Sequence, residues 1–412
     1  MKRSILLVLL SNHNYRKTDW KQREMKKSLY LVSILLIFSS CGQRQQKVEK
    51  IMEDGVEIIV NHFEPYQIKG EPRTLHLEEE FTIDTERDEI AQKGLTDITA
   101  FDIDSEGNIY FFQDRESDKN LALKFDKNGN FVAPFGKRGQ GPGEIQYPIY
   151  LNITRQDEIP IQDYGRFKLF VFDRTGTIIK ETRLYSKSAG QFVFYPLENG
   201  SYFRFRDYSD PLTKHRYDVL DLTNSKFEEI KELDRCDYGP LVSFTQQKKK
   251  GSPRVFICEV SDGMIYLGHE NRGYEILVYG LDGKLLKKIR KEYLPADAPD
   301  EFKENLIINM GRFKDKLIVP DKMPPFHYFF LDGERRLYVK TYEKGNRKNE
   351  YIHDIFNSEG VFIQRMSMAG FGSWMYPGRD LNRAKAKNHR LYCIREKESG
   401  YKELAVYKMS WE

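Results

Sequence analysis

The 412-residue sequence predicts an all-β chain that folds as a six-bladed β-propeller of four-stranded antiparallel blades, with the last blade closed by an N-terminal strand. Three observations lead to this prediction. Short alternating strands and tight turns recur roughly every 50 residues, and an anchor of the type Phe-Asp-x-x-Gly returns along the chain. The last repeat also lacks one strand. Four strands in a unit of ~40–50 residues are typical of a propeller blade.

The first repeat shows the pattern in full. Residues 101–110 read Phe-Asp-Ile-Asp-Ser-Glu-Gly-Asn-Ile-Tyr, which is a strand, a turn and a second strand. Gly and Asn suit such a turn because they tolerate positive φ. Residues 121–131 repeat this arrangement around Asp126-Lys127-Asn128-Gly129 and indicate a second hairpin. The unit therefore contains four short strands.

The second hairpin recurs and sets the number of blades. Its anchors are 47, 48, 59, 77 and 51 residues apart and begin at Phe125, Phe172, Leu220, Tyr279, Phe356 and Tyr407. Six anchors predict six blades. One blade alone could not bury its apolar faces, so the blades must pack against each other in a ring.

The two ends of the chain complement each other. The sixth unit stops at Glu412, just after its third strand, whereas residues 75–84 form an alternating strand that no blade has claimed. We predict that this strand completes the last blade, because ring closure removes two exposed sheet edges. The propeller is accordingly assigned to residues 71–412.

Two stretches interrupt the period. Residues 296–310 contain Pro299 near their start and Phe302, Leu306 and Ile307 at helical spacing, which predicts a short surface helix. Residues 238–252 are expected to form an exposed loop.

The N-terminus is typical of a targeting segment. A basic start at Met25-Lys26-Lys27 precedes an apolar run over residues 29–37, which is too short to span a membrane because a spanning helix needs ~20 residues. Phe38-Ser39-Ser40-Cys41 follows and resembles a bacterial lipoprotein signal, although Phe38 replaces the more usual Leu. An ordinary secretory signal is the alternative.

These features give an expected domain plan. Residues 1–41 are a signal peptide whose translation starts at Met25 and whose Cys41 is lipidated, and residues 42–70 are a tether and lead-in segment. The expected location is the bacterial cell envelope, lipid-anchored at the outer membrane, so the membrane is the first expected partner.

Charge and cysteine content exclude some classes of function. The first 41 residues hold eight Lys and Arg and two Asp and Glu, so the remaining chain has 58 basic and 60 acidic residues and shows no basic bias toward nucleic acid. Cys236, Cys258 and Cys393 have no metal-ligand spacing. The sequence allows two alternatives, three free thiols or a disulfide between Cys236 and Cys258.

The first blade also carries a family resemblance. Residues 101–110, the Phe-Asp-x-x-Gly anchor and the run Gly-Lys-Arg-Gly-Gln-Gly-Pro-Gly-Glu at 136–144 resemble the NHL-type six-bladed propellers. With the signal included, the chain looks similar to the propeller lipoproteins of Bacteroidales-type bacteria. That resemblance implies an envelope-anchored protein with no assigned reaction, and no catalytic residue can be carried over from it.

Familiar catalytic motifs do not occur in the sequence. There is no Gly-x-Ser-x-Gly and no His-Glu-x-x-His, and the run at 139–143 lacks the Gly-Lys-Ser/Thr ending of a phosphate loop. We interpret that run as a tight crossover between blades, with Glu144 capping its amides. Catalytic residues therefore stay unknown.

Two aromatic segments are candidates for recognition. Residues 370–378 form a glycine-rich loop that carries Phe371, Trp374 and Tyr376, and aromatic side chains on an exposed loop can stack on sugars or anchor peptides. These three are the predicted ligand-binding residues, with packing across the channel mouth as the alternative. Residues 323–330 either line a recognition face or lead into a buried innermost strand.

No metal site or cofactor is predicted. A divalent cation remains an alternative, because groups that can bind one lie near the predicted strand ends. They are Asp102, Asp163, Asp207, His269, Glu270 and Asp321. The favoured function is a monomeric binding or interaction module for a glycan, a peptide or an envelope protein. The alternative is a metal-assisted lyase, lactonase or glycan-active hydrolase. Function is set by loops rather than by the propeller fold.

Overall fold

The computed structural model describes residues 48–412 apart from 73, 114–118, 185–190, 241–247, 252–254, 348–349 and 370–383. In this part of the chain, six four-stranded antiparallel arrangements follow one another and form the blades of a propeller. The predicted fold class is confirmed. None of the helices described is long and apolar enough to cross a bilayer.

The first three blades take their strands in sequence order. The strands of blade 1 are Phe101–Ile103, Ile109–Phe112, Ala122–Phe125 and Phe131–Phe135. Those of blade 2 are Pro148–Leu151, Ile159–Asp163, Lys168–Phe172 and Ile178–Arg183. Those of blade 3 are Gln191–Pro196, Tyr202–Ser209, His215–Thr223 and Glu229–Pro240.

The last three blades include contributions from the start of the chain. The core strands of blade 4 are Phe256–Ser261, Met264–His269, Glu275–Gly280 and Leu285–Lys291. Those of blade 5 are Tyr328–Leu331, Leu337–Lys344, Glu350–Phe356 and Phe362–Ala369. Those of blade 6 are Ala384–Lys387, Arg390–Glu396, Lys402–Trp411 and, from the N-terminal side, Leu75–Asp84.

Blade 6 unites the two ends of the propeller. Leu75–Asp84 pairs antiparallel with Lys402–Trp411 from Leu75 opposite Trp411 to Asp84 opposite Glu403. Ile83 is buried against Leu404 and Val406 in the cluster between blades 6 and 1. The alternating apolar residues of Leu75–Asp84 therefore supply an apolar face that the other three strands of blade 6 do not complete.

The apolar core lies between the blades. Among the described residues, each neighbouring pair of blades shares a buried cluster: blades 1 and 2, 2 and 3, 3 and 4, 4 and 5, 5 and 6, and 6 and 1. Tyr110, Phe125, Phe172, Phe356 and Tyr392 are almost fully buried in these layers. Aromatic side chains bury large areas, which explains why the chain contains so many of them.

A recurrent turn joins strands within the blades. Its first residue is Asp or Asn, whose Oδ1 accepts hydrogen bonds from the amides two and four residues later. The turns built this way begin at Asp104, Asp126, Asp173, Asn224, Asp332 and Asn357. The fourth residue has positive φ and is usually Gly, as at Gly107 and Gly129. This geometry accounts for the anchor seen in the sequence.

A hairpin at the start of the described chain extends blade 4. Glu49–Glu53 and Val56–Asn61 pair antiparallel, and the second strand runs parallel to Leu285–Lys291, which makes a six-stranded sheet. Ile58 and Ile59 are completely buried. The tether and lead-in segment predicted for residues 42–70 is therefore wrong over 49–61, because the apolar run from Val56 to Val60 adds a strand to a blade.

Shorter elements connect the blades. The helix Asp300–Met310 confirms the predicted surface helix, with Phe302 buried against Met323 and Tyr342, and a one-turn helix spans Asp88–Ala91. The stretch 238–252, predicted to be an exposed loop, contains strand residues at both ends of its described part. Its start belongs to blade 3, and Lys249–Lys250 pairs with Leu317–Ile318, while residues 241–247 and 252 lie outside the described residues.

Candidate ligand cavity in the central channel

The innermost strands of the six blades surround a cavity of about 650 Å³. Each blade lines it with at least one residue of its first strand: Asp102, Leu151, Tyr195, Glu259, Phe330 and Lys385. Turns between first and second strands complete the wall, at 154–158, 197–200 and 332–333. The ring therefore brings together residues that are far apart in the sequence.

Aromatic side chains form one part of the wall, on blades 3 and 4. Tyr195 stacks on Phe203 with ring centroids 4.3 Å apart, and Phe205 lies 5.4 Å from Phe256. Phe330 of blade 5 also lines the cavity. This surface can receive the apolar part of a ligand.

A part-buried ion pair lies in another part of the wall. Nζ of Lys385 lies 2.6 Å from Oδ1 of Asp102, which also accepts the Ile103 amide at 2.7 Å. Oδ2 of Asp102 accepts the Ile153 amide at 2.7 Å. Lys387 donates to the carbonyl of Ile103 at 2.7 Å. Asp102 therefore ties blades 1, 2 and 6 together.

Glu259 of blade 4 lines the same cavity without such partners. Its side chain is half-buried, and neither a hydrogen bond nor an ion pair joins its carboxyl to the residues that the structure describes. Burial raises the pKa of Glu259 to about 7; Lys385 opposes this change and Asp102 adds to it. Near neutral pH, this carboxyl can therefore gain or lose a proton.

Charged side chains of blades 2 to 5 pair with each other at and next to the rim of the cavity. Arg155 lies 2.6 Å from a carboxylate oxygen of Asp262 and 3.1 Å from one of Glu198, and Arg335 lies 3.7 Å from Asp262. These pairs link blades 2 to 5. Because the groups are exposed, these ion pairs contribute little to stability. They do mean that Arg155 and Arg335 each already have a carboxylate partner.

The cavity includes one of the cysteines. Cys258 lines it, and burial raises the pKa of its thiol well above the usual value. A thiol of this kind is a poor nucleophile at neutral pH. Cys236, Cys258 and Cys393 are all free in the structure, so the proposed Cys236–Cys258 disulfide is not formed.

The structure bears differently on the two aromatic segments. Phe371, Trp374 and Tyr376 fall within 370–383, outside the described residues, so their role in binding stays a prediction, as does lipidation of Cys41. In the other segment Met323, Phe326 and Phe329 are buried. The buried-strand alternative is therefore correct for 323–330.

The residues considered for a divalent cation are dispersed. Asp163 pairs with Arg166 and Asp207 with Arg216, while His269 faces Asp234 at 3.3 Å. Within the described parts of the chain, no group of three or more His, Cys, Asp or Glu residues is placed to hold a metal ion. The glycine-rich crossover behaves as expected, since Glu144 accepts the amide of Gly141 at 2.9 Å.

Sequence inspection missed Glu259, Lys385 and the cavity. The available signals were a charged residue inside the apolar strand Phe-Ile-Cys-Glu-Val and the alternation Ala-Lys-Ala-Lys at 384–387. The sequence alone does not say which of these charged residues meet.

Comparisons with known proteins agree with this fold. Residues 85–249, less than half of the chain, match the family DUF5128, described as a 6-bladed beta-propeller. The human E3 ubiquitin-protein ligase TRIM32 is 26% identical over 152 residues, which cover 35% of this chain and 22% of that protein. The match therefore spans about a fifth of the curated relative.

Two solved structures from Bacteroides species are also similar. A member of the DUF4221 family from Bacteroides vulgatus has a TM-score of 0.51 at 12% identity, covering 83% of this chain and all of that one. A candidate exported protein from Bacteroides fragilis has a TM-score of 0.48 at 12% identity, covering 86% and 99%. At such identities the first likeness shows the fold alone.

Proposed function

We propose that this chain is a ligand-binding propeller of the bacterial cell envelope that takes part of a peptide or glycan into its central cavity. The supporting observation is the cavity of about 650 Å³ with its adjoining aromatic and charged walls. Ligand sites in proteins are typically concave, ~300–1,000 Å³ in volume, and mostly apolar with a few polar groups. The proposed lipid on Cys41 would hold this module at the outer membrane.

The experiment compares two possible binding surfaces. Purified residues 42–412 are screened against glycan and peptide arrays, and hits are measured by calorimetry with two variants. Ser261→Trp narrows the cavity rim, whereas Trp374→Ala removes an aromatic side chain from the glycine-rich loop. We expect Ser261→Trp to weaken binding at least tenfold and Trp374→Ala, in the predicted ligand-binding loop, to weaken it by a smaller factor.

The opposite outcome would locate binding on the loop instead. Loss of binding with Trp374→Ala alone contradicts the cavity and supports residues 370–378. Circular dichroism of both variants is the control for folding. Fractionation of the native bacterium tests the anchor, because Cys41→Ser should move the protein out of the membrane fraction.

No observation on the described residues favours a lyase, a lactonase or a glycan-active hydrolase over a binding module.

A further inference from the structure

The charged groups in the cavity differ in how far their charges are already compensated. Lys385 is paired with Asp102, Lys387 donates to a backbone carbonyl, and Arg155 at the rim is paired twice. Glu259 has no partner among the described residues. The group left available for a ligand inside the cavity is therefore a carboxyl, not a cation.

Ionisable groups from all six blades surround Glu259 in the cavity. Burial raises the pKa of Glu259, Lys385 from blade 6 lowers it, and Asp102 from blade 1 raises it by a smaller amount. Cys258 precedes it on its own strand. Other ionisable groups line the cavity from blades 2, 3, 5 and 6: Arg155, Glu158, Glu198, Asp332 and Lys387. Among these, Asp332 accepts a hydrogen bond from the Tyr338 hydroxyl at 2.9 Å.

The aromatic wall supplies the second half of the recognition. Tyr195, Phe203, Phe205 and Phe256 line the same cavity as Glu259, and Phe256 belongs to the same strand. Aromatic faces attract cations as well as apolar groups. An uncompensated carboxyl beside such faces is complementary to an ammonium that carries an apolar substituent.

We propose that the cavity binds a protonated amine attached to an apolar group, with the Glu259 carboxylate accepting hydrogen bonds from the ammonium and the aromatic wall covering the apolar part. This inference rests on the proposed function and names the chemistry of its ligand. A peptide amino terminus next to an apolar side chain and a small aralkyl amine share this chemistry. A neutral sugar or an anionic ligand does not.

Binding of this kind must depend on pH. Glu259 has to be ionised to accept the ammonium, and its pKa of about 7 means that it holds a proton in mildly acidic solution. Affinity for the amine therefore rises with pH and levels off above about 7. Below that pH it falls by about tenfold per unit, because the carboxyl must first lose its proton.

The test uses 2-phenylethylamine and phenylacetate as probes of matched skeleton and opposite charge. Calorimetry on residues 42–412 at pH 8 and pH 5.5 gives both affinities, and the amine is protonated at both values because amines of this kind resemble Lys. We expect the amine to bind at pH 8 and its affinity to be roughly 30-fold lower at pH 5.5. Phenylacetate should not bind measurably.

Two variants identify the residue responsible. Glu259→Gln should weaken binding of the amine at least tenfold at pH 8 and remove the pH dependence. Glu304→Gln removes an exposed carboxyl on the helix Asp300–Met310, away from the cavity, and should change neither. The inference would be overturned if the two probes bound equally, or if Glu259→Gln bound the amine as tightly as the wild type.

The broader proposal can be separated from this one. If a ligand from the arrays loses affinity with Ser261→Trp but not with Glu259→Gln, the cavity binds ligands and the amine chemistry is refuted. If the arrays and both probes give no binding at all, both proposals fail. Peptides with free and acetylated amino termini distinguish the two sources of the ammonium, since only the free terminus can bind if a peptide is the ligand.

Discussion

Two clusters of charged side chains in the propeller, one within blade 3 and one in the central channel, differ in how completely they are paired. In blade 3, Asp221 is fully buried and accepts hydrogen bonds from Arg204 at 2.7 Å and Arg206 at 2.6 Å, while Arg204 also reaches Glu229 at 2.8 Å. In the channel, Asp102 and Lys385 pair with each other, but Glu259 has no partner among the described residues.

The difference indicates different roles. A buried charge costs free energy unless it is paired and hydrogen-bonded, so the cluster in blade 3 is arranged to hold strands together. The channel cluster leaves one carboxyl unmatched beside open volume. We infer that an unmatched charge facing a cavity marks a binding surface, whereas a matched and fully buried charge marks a structural role. The following changes test this contrast.

The largest effect is expected at Asp221. Asp221→Asn keeps the shape but leaves two arginines without their buried counter-charge, which should lower the free energy of unfolding by about 3 kcal/mol. Urea unfolding at pH 7 measures this loss. Glu229→Gln is the matched control and should cost less than about 1 kcal/mol because Glu229 is exposed. Equal effects would mean that burial does not separate the two carboxylates.

Asp102 should give an intermediate effect. Two backbone N–H groups donate to the Asp102 carboxylate, and Asp102→Asn turns a side-chain NH₂ toward one of them. The change also removes the partner of Lys385, so we expect the free energy of unfolding to fall by about 2 kcal/mol. Urea unfolding again gives the value. The same change removes a negative neighbour of Glu259 and should lower the pKa of that carboxyl, visible as a shift of its titration toward acid.

The smallest effect, and one of opposite sign, is expected at Glu259. Its pKa is higher in the folded state than the ordinary value of 4.5, so the folded state holds a proton that the unfolded state has lost. The contribution of Glu259 to stability is therefore full below about 4.5 and decreases as pH rises to about 7.

Glu259→Gln should remove this dependence and stabilise the protein at pH 8 by about 1 kcal/mol, a discounted value because the side chain is only half-buried. Thermal unfolding from pH 4 to 8 measures the difference between variant and wild type, which should grow between 4.5 and 7. A constant difference would show that Glu259 titrates normally, and the channel cluster would then resemble any exposed carboxyl.

The sequence revealed far more of the fold than of the candidate site. The anchors work because Asp126 and Asp173 cap their own turns, and such local chemistry is visible in a single stretch of residues. The pairing of residues 75–84 with the C-terminal strand could be predicted because a missing strand and an unclaimed strand complement each other. In contrast, the hairpin at 49–61 was missed because its alternating charges disguise an apolar face.

There is a physical reason why the cavity could not be predicted from the sequence. Asp102, Glu259 and Lys385 belong to three different blades, and only ring closure brings them to a common axis. Their proximity depends on the number of blades and on how far each innermost strand advances along the channel. A charged residue on one strand looks the same in the sequence whether it meets a partner, water or a ligand.

The closure of blade 6 has a consequence for biosynthesis. Thr85 and Lys402 are joined by backbone and side-chain hydrogen bonds although they lie 317 positions apart in the chain. During translation or secretion, Leu75–Asp84 therefore stays unpaired until Lys402–Trp411 has emerged. A chain that stopped before Lys402 would present two unpaired strand edges, which are templates for pairing with another chain.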